Sequence, residues 1–273
     1  MTTAPLLLIG CGKMGGAMLA GWLAGPEADG GVHVVEPHPE GMGELARHAR
    51  VTVHADAATV PDGLAPGTVV LAVKPQSMDA ALVPLKRFVA PGTCFLSIAA
   101  GKTLGYFEKH LGATAAVVRA MPNTPAAVGR GITAYVANRN VSAEQKTRAQ
   151  RLLEAVGEAM EAGSEDWIDA VTALSGGGPA YVFLLIETLA AAGVKAGLPE
   201  DFAMRLARAT VSGSGELARQ SAEPASQLRV NVTSPGGTTF EALKVLMDPA
   251  DGIQPIFDQA IAAATARSKE LAG

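Results

Sequence analysis

Gly10, Gly12 and Gly15 stand in the run Gly10-Cys11-Gly12-Lys13-Met14-Gly15, directly after an apolar stretch at 6–9 and at the start of a helical pattern. Glycines at that spacing permit a tight turn, let a pyrophosphate approach the backbone and let the helix pack closely, while the helix N-terminus supplies donors and a positive dipole. Glu36 closes a second apolar run, 21 positions beyond Gly15. A carboxylate there accepts hydrogen bonds from an unphosphorylated ribose and repels a 2′-phosphate, which leans toward NADH, whereas His38 and Arg47 nearby are able to accommodate a phosphate. Together these residues point to dinucleotide binding. The plainer readings are a structural turn for the glycines, a solvated strand end for Glu36 and a small turn residue for Cys11.

Two further segments follow apolar runs: Ala72-Val73-Lys74-Pro75 and Met121-Pro122-Asn123-Thr124-Pro125. In an open parallel sheet the carboxyl ends of the strands form the ligand crevice, so both segments are expected to face the cofactor. Lys74 offers a charge near ribose or phosphate, and Asn123 an amide able to pair with a nicotinamide carboxamide. Farther along, Leu174-Ser175-Gly176-Gly177-Gly178-Pro179-Ala180-Tyr181 and Val232-Thr233-Ser234-Pro235-Gly236-Gly237-Thr238-Thr239 are Gly-Pro loops running into helices. Such loops expose successive backbone N–H groups suited to a small anion such as a carboxylate. Against that, Thr238 to Glu241 also reads as a capping box, which would satisfy the same N–H groups internally.

The elements that must position these residues fall into two halves. Strands are expected at 6–9, 32–35, 69–73, 94–98 and 116–120, with further apolar runs at 132–136 and 159–162 able to extend the same sheet. Helices are expected between them at 14–24, 41–48, 78–88, 104–111 and 142–156. That alternation is an α/β, doubly wound layout. From about 163 the rhythm changes to helices at 180–196, 200–220, 240–247 and 256–271, so the expected domains are 1–163, dinucleotide-binding, and 164–273, all-helical. The stretch 183–192 is apolar on nearly every side, which predicts burial in a helix-helix interface and a homodimer built through this half.

Composition excludes other classes. The net charge is 22 − 26 = −4 with only 4% aromatic residues, which argues against nucleic acid. Cys11 and Cys94 form no CxxC motif, and the five histidines have no metal-site spacing, so no metal is expected. The longest apolar candidate, 181–194, carries Glu187, and residues 1–5 lack signal-peptide features; the reading is a cytoplasmic protein with no membrane span.

The layout resembles the β-hydroxyacid dehydrogenases, which keep a lysine on the helix after their second glycine-rich loop. Here no lysine follows Gly178 until Lys195. Ketone reduction needs a positioned acid, whereas an already protonated C=N bond does not, so imine reduction fits better. The motifs then match, nearly end to end, the pyrroline-5-carboxylate reductase family: Ile9 to Gly15, Ala72 to Pro75, Ser97-Ile98-Ala99-Ala100-Gly101, Arg119 to Pro125, Ser175 to Tyr181 and Val232 to Thr239. The resemblance implies a Rossmann-type sheet with a C-terminal helical dimerisation domain, and NADPH- or NADH-dependent reduction of Δ1-pyrroline-5-carboxylate to L-proline, the last step of proline biosynthesis. By family analogy the cofactor residues are Gly10, Gly12, Lys13, Met14, Gly15, Glu36, Ala72, Val73, Lys74, Pro75, Ala99 and Asn123. The substrate carboxylate falls to Ser234, Gly237, Thr238 and Thr239, with Thr239 also the catalytic candidate at the ring nitrogen. The resemblance further implies obligate dimers, often assembled into rings. The loop Ser175-Gly176-Gly177-Gly178-Pro179 departs from the commoner Ser-Gly-Ser-Gly-Pro, losing a hydroxyl. The competing readings are a related imine or β-hydroxyacid reductase acting on another small carboxylate, and a dinucleotide sensor without turnover.

Overall fold

The computed structural model describes residues 4–272. Its contacts divide the chain into two compact units, one running to Gly176 and rejoined from Ala264 onward, the other Gly177–Ala263.

The first unit is built on eight strands: β1 (Leu6–Ile9), β2 (Val32–Val35), β3 (Val51–His54), β4 (Thr68–Leu71), β5 (Cys94–Ser97), β6 (Ala116–Met121), β7 (Gly131–Ala137) and β8 (Gly157–Glu161). They form one sheet in the order β3-β2-β1-β4-β5-β6-β7-β8. The first six are parallel to their neighbours, β7 runs antiparallel to β6, and β8 is parallel to β7. The order 3-2-1-4-5-6 is that of doubly wound nucleotide folds, whose chain reverses direction of winding between β1 and β4. Strands buried on both faces need continuous apolar runs, and β1, Leu-Leu-Leu-Ile, is buried throughout. Its alternate residues feed two cores: Leu6 and Leu8 join Met18, Trp22 and Val34, while Leu7 and Ile9 join Val69, Leu71 and Phe95.

The crossovers include α1 (Lys13–Ala24), α2 (Met78–Leu82), α3 (Leu104–Leu111) and α4 (Ala143–Glu154). α4 carries a complete capping box from Ser142 and Gln145. After β8 come α5 (Trp167–Val171) and one π turn, Thr172–Gly176.

The structure corrects several expectations. The edge strand β3 has no counterpart in the sequence reading. The segment expected as a helix at 41–48 is a 3-10 stretch, Pro39–Arg47, broken where Gly43 takes φ +56°. The helix expected at 78–88 stops at Leu82, and Pro84 begins a separate 3-10 turn, because proline cannot donate to the preceding helix. The strand expected at 69–73 ends at Leu71, where the chain leaves the sheet.

The second unit contains α6 (Gly178–Lys195), α7 (Glu200–Gln220), α8 (Ala225–Asn231), α9 (Thr238–Leu246) and the first part of α10 (Ile253–Ala272). α6 and α7 pack on each other through Gly193 and Ala203, where an added Cβ on the glycine would lie 3.2 Å from the alanine. The helical run Trp167–Lys195 is, by length and composition alone, long and apolar enough to cross a bilayer. Ile168 and Ala190 in this run are buried, but many of its large apolar side chains are uncovered in the single chain: Phe183 and Leu184 are 59% and 57% exposed.

Candidate active site

In the first unit the loops after β1, β4, β5 and β6 follow one another along the carboxyl edge of the sheet. The three glycines of the first loop do three different things. Gly10 has φ +87°, a backbone shape that favours glycine, and a Cβ on it would meet Val73 Cγ1 at 2.9 Å. A Cβ on Gly15 would lie 2.4 Å from the Gly10 carbonyl oxygen, so the helix packs directly onto the turn. Gly12, the N-cap of α1, faces open space, with nothing within 4 Å of an added Cβ, and no side chain caps the helix. Free N–H donors at an uncovered helix start fit a pyrophosphate. Lys13 is exposed and Met14 half-buried beside them.

Glu36 lies just past β2 and holds this loop. Its Oε2 accepts from the Cys11 N–H at 2.8 Å and its Oε1 from the His38 N–H at 3.0 Å. Cys11 is buried, and burial first, then the Glu36 charge, pushes its thiol up to about 11. Ala72 donates its N–H to the Ile9 carbonyl, keeping the turn through Val73, Lys74 and Pro75 against the glycine loop, with Lys74 exposed. Ala99 is buried and donates its N–H to Ser97 Oγ at 3.2 Å.

Asn123 turns inward. Its Oδ1 accepts from the Ile132 N–H at 2.9 Å and its Nδ2 donates to the Ser175 carbonyl at 3.2 Å, so the amide first expected to meet a nicotinamide is largely spent bracing its own turn. The sequence reading also gave no role to Arg119 or Glu165, which form an ion pair at 2.8 Å between a buried guanidinium and a half-buried carboxylate. The signal for Arg119 was a lone cation inside the apolar strand Ala-Val-Val-Arg-Ala-Met. A concavity of about 900 Å³ lined by Pro26, Asp29, Thr147 and Arg148 lies near Ala4, at the amino end of β1 and away from the glycine loop, so it is not the candidate crevice.

In the second unit, Ser234-Pro235-Gly236-Gly237 forms a tight turn closed by Gly237 N–H to the Ser234 carbonyl at 3.0 Å, with Gly236 at φ +68°. Proline then glycine at the two central positions is the type II pattern. α9 starts at Thr238 with Gly237 as its N-cap, and no side chain caps it. The capping box expected from Thr238 to Glu241 is therefore absent: Thr238 sits one position too far inside the helix, and Glu241 pairs with Lys244 at 2.8 Å instead. The first-turn N–H groups of α9 stay available, and Ser234, Thr238 and Thr239 are exposed beside them. α6 likewise begins without a side-chain cap, after N-cap Gly177.

A doubly wound sheet with an open glycine turn, followed by a helical unit with an uncapped Gly-Pro loop, defines the class of nucleotide-fold oxidoreductases with a helical second domain. Residues 165–271 match the family described as pyrroline-5-carboxylate reductase dimerisation, and residues 6–101 match NADP oxidoreductase, coenzyme F420-dependent. The pyrroline-5-carboxylate reductase of Pseudomonas aeruginosa is 39% identical over 100% of this chain and 98% of its own length. Among solved structures, that of a pyrroline-5-carboxylate reductase from Coxiella burnetii superposes with a TM-score of 0.91 at 35% identity, covering 99% of both chains. That of Plasmodium falciparum pyrroline carboxylate reductase with NADP bound gives 0.79 at 30%, covering 99% of this chain and 100% of that one. This chain belongs to the pyrroline-5-carboxylate reductase family.

Proposed function

We propose that this chain uses NADPH or NADH to reduce the C=N bond of Δ1-pyrroline-5-carboxylate to L-proline. Full-length membership of the family carries the reading, and the open face at Gly12 supports it. The bound reduced nicotinamide supplies hydride to the imine carbon. The N–H groups of residues 12–15 and the dipole of α1 hold the pyrophosphate, Gly10 and Cys11 being already bonded to Val35 and Glu36, with the Lys13 and Met14 side chains beside them. Glu36 lies where the adenosine ribose is read, Lys74 supplies charge, and Ala72, Val73, Pro75, Ala99 and the Asn123 turn form the rest of the wall.

On the helical side the free N–H groups of α9, with Ser234, Gly237, Thr238 and Thr239, hold the substrate carboxylate. A helix terminus anchors that anion without a lysine or arginine, and a fixed ring presents one carbon for transfer. Thr239 meets the ring nitrogen. A protonated imine needs no strong acid, consistent with the missing lysine after Gly178.

The uncovered apolar surface of α6 and α7 is assigned to a second copy of this chain, with ring assembly of dimers as the next step and the cytoplasm as the compartment. Phe183, Leu184, Phe202 and Leu206 are each at least 45% exposed in the single chain, and clustered exposed apolar side chains of this kind mark an interaction surface. Light scattering is expected to give a dimer or an even multiple; a monomer at micromolar concentration overturns the assignment. The activity is tested by loss of reduced-nicotinamide absorbance with Δ1-pyrroline-5-carboxylate, run in parallel with NADPH and NADH. No oxidation with either overturns it.

A further inference from the structure

We propose that Arg119 and Glu165 act as a positioning pair that sets the nicotinamide end of the cofactor crevice. This rests on the dinucleotide reading above and adds a role for two residues outside the crevice wall.

The Arg119 side chain is 4% exposed, on a strand otherwise apolar. A buried guanidinium is costly unless paired, and an apolar residue in its place is often at least as stable, so stability alone explains it poorly. Its partner oxygen, Glu165 Oε1, lies 2.8 Å from Arg119 Nη1 and also accepts the Leu104 N–H at 2.8 Å. One oxygen thus joins strand β6, the start of α3 and the segment after β8. Leu104 is the first residue of α3 and ends the loop 98–103, which contains Ala99. The other end of that loop is held at Ser97, whose hydroxyl accepts the Ala99 N–H and which is the register partner of Arg119 in the sheet. Both ends of the loop are therefore referred to Arg119. Asn123, four residues on, adds the bond to the Ser175 carbonyl, so the segment 165–175 is fastened to β6 and its following turn at two points.

Location gives the direction of the effect. In a doubly wound sheet the acidic residue after β2 marks the adenosine half, and the second mononucleotide lies over the strands beyond the switch point. Glu165 fastens the loop after β5 and the strand β6 itself, on that second side. Loss of the pair is expected to misplace the nicotinamide while leaving adenosine binding unchanged.

The test uses the full-length protein with Glu165→Ala, which removes both bonds, and Glu165→Gln, which keeps an acceptor for Leu104 without the charge. The probes are ADP-ribose and 2′-phospho-ADP-ribose, the fragments of NADH and NADPH that lack nicotinamide. The expected result for Glu165→Ala is a fall in kcat of about tenfold with fragment affinity unchanged, and partial recovery in Glu165→Gln. Unchanged kcat overturns the proposal, as does an equal loss of fragment affinity in Glu165→Gln, the signature of a general folding role. A wild-type protein that binds neither NADPH nor NADH overturns the dinucleotide reading itself.

Discussion

The Glu36 carboxylate accepts the Cys11 backbone N–H at 2.8 Å across 25 residues of sequence, so the residue proposed to meet the ribose also holds the glycine loop. Its negative charge beside a 2′-phosphate disfavours NADPH, whereas a relative of this fold binds NADP. Replacing the charge while keeping an acceptor separates the two roles. Glu36→Gln is expected to raise the NADPH-to-NADH ratio of kcat/KM by about tenfold, on the order of 1 kcal/mol for one partly solvated charge. Parallel initial-rate measurements read this directly, and an unchanged ratio would show that Glu36 serves the loop alone.

Gly12 and Gly15 make opposite predictions from the same motif. A side chain on Gly12 meets open space, so Gly12→Val is expected to fold, with at most a small fall in Tm from the poorer N-cap, while entering the room a pyrophosphate needs. Dinucleotide affinity should weaken by about 2 kcal/mol, roughly thirtyfold. On Gly15 a Cβ lies 2.4 Å from a backbone oxygen that cannot move aside, so Gly15→Ala is expected to destabilise the fold by about 2 kcal/mol. Thermal unfolding and fluorescence titration with NADPH distinguish the two. A Gly12→Val protein with wild-type affinity would remove the turn from the site.

The legible parts of this molecule were those whose sequence pattern carries its own geometry. β1 and β2 match the expected ranges because unbroken apolar runs between glycine turns have few alternatives. The edge strand β3, Val-Thr-Val-His, is short and half-covered, so it lacks the apolar run that reveals a central strand. α8 escaped for the same reason: it has no buried residue and follows Pro224 without a periodic stripe. Asn123 was found as a polar residue at a strand end, but its bonds to Ile132 and Ser175 depend on chain segments 9 and 52 residues away, which spacing cannot reveal. The Thr238 to Glu241 pattern fitted a capping box, and the turn at Gly236 moved the true cap one residue earlier.

That shift sharpens the expectation for Thr239. Since no side chain caps α9, the hydroxyl at 239 is not needed to start the helix, and Thr239→Ala is expected to leave Tm within about a degree. If the hydroxyl meets the ring nitrogen, the variant loses one hydrogen bond to a polar reacting group, about 1.5 to 3 kcal/mol in kcat/KM for the imine. The KM for NADPH should stay the same. Steady-state kinetics with both substrates varied provide the check, and an unchanged rate would remove Thr239 from the site.

The two thiols respond to pH in a direction that burial fixes. Cys11 is pushed from 9.0 to about 11 by burial and by the Glu36 charge, and Cys94 to about 12 by burial. A raised thiol pKa keeps the proton on the folded chain while the unfolded chain begins to lose it above about 9. Across that interval the unfolded state binds fewer protons, so stability falls as pH rises. The contribution of Cys11 is therefore complete below pH 9 and disappears as pH passes through about 11. Other groups titrate in the same window, which Cys11→Ala isolates: its Tm should fall less steeply than that of the parent between pH 9 and 11. The same burial predicts that iodoacetamide at pH 8 labels neither cysteine in the native protein and both in denaturant, because the thiolate is the reactive form. Mass spectrometry of the intact chain reads the count, and stoichiometric labelling of native Cys11 would mean that the glycine loop opens far more often than its bond to Glu36 allows.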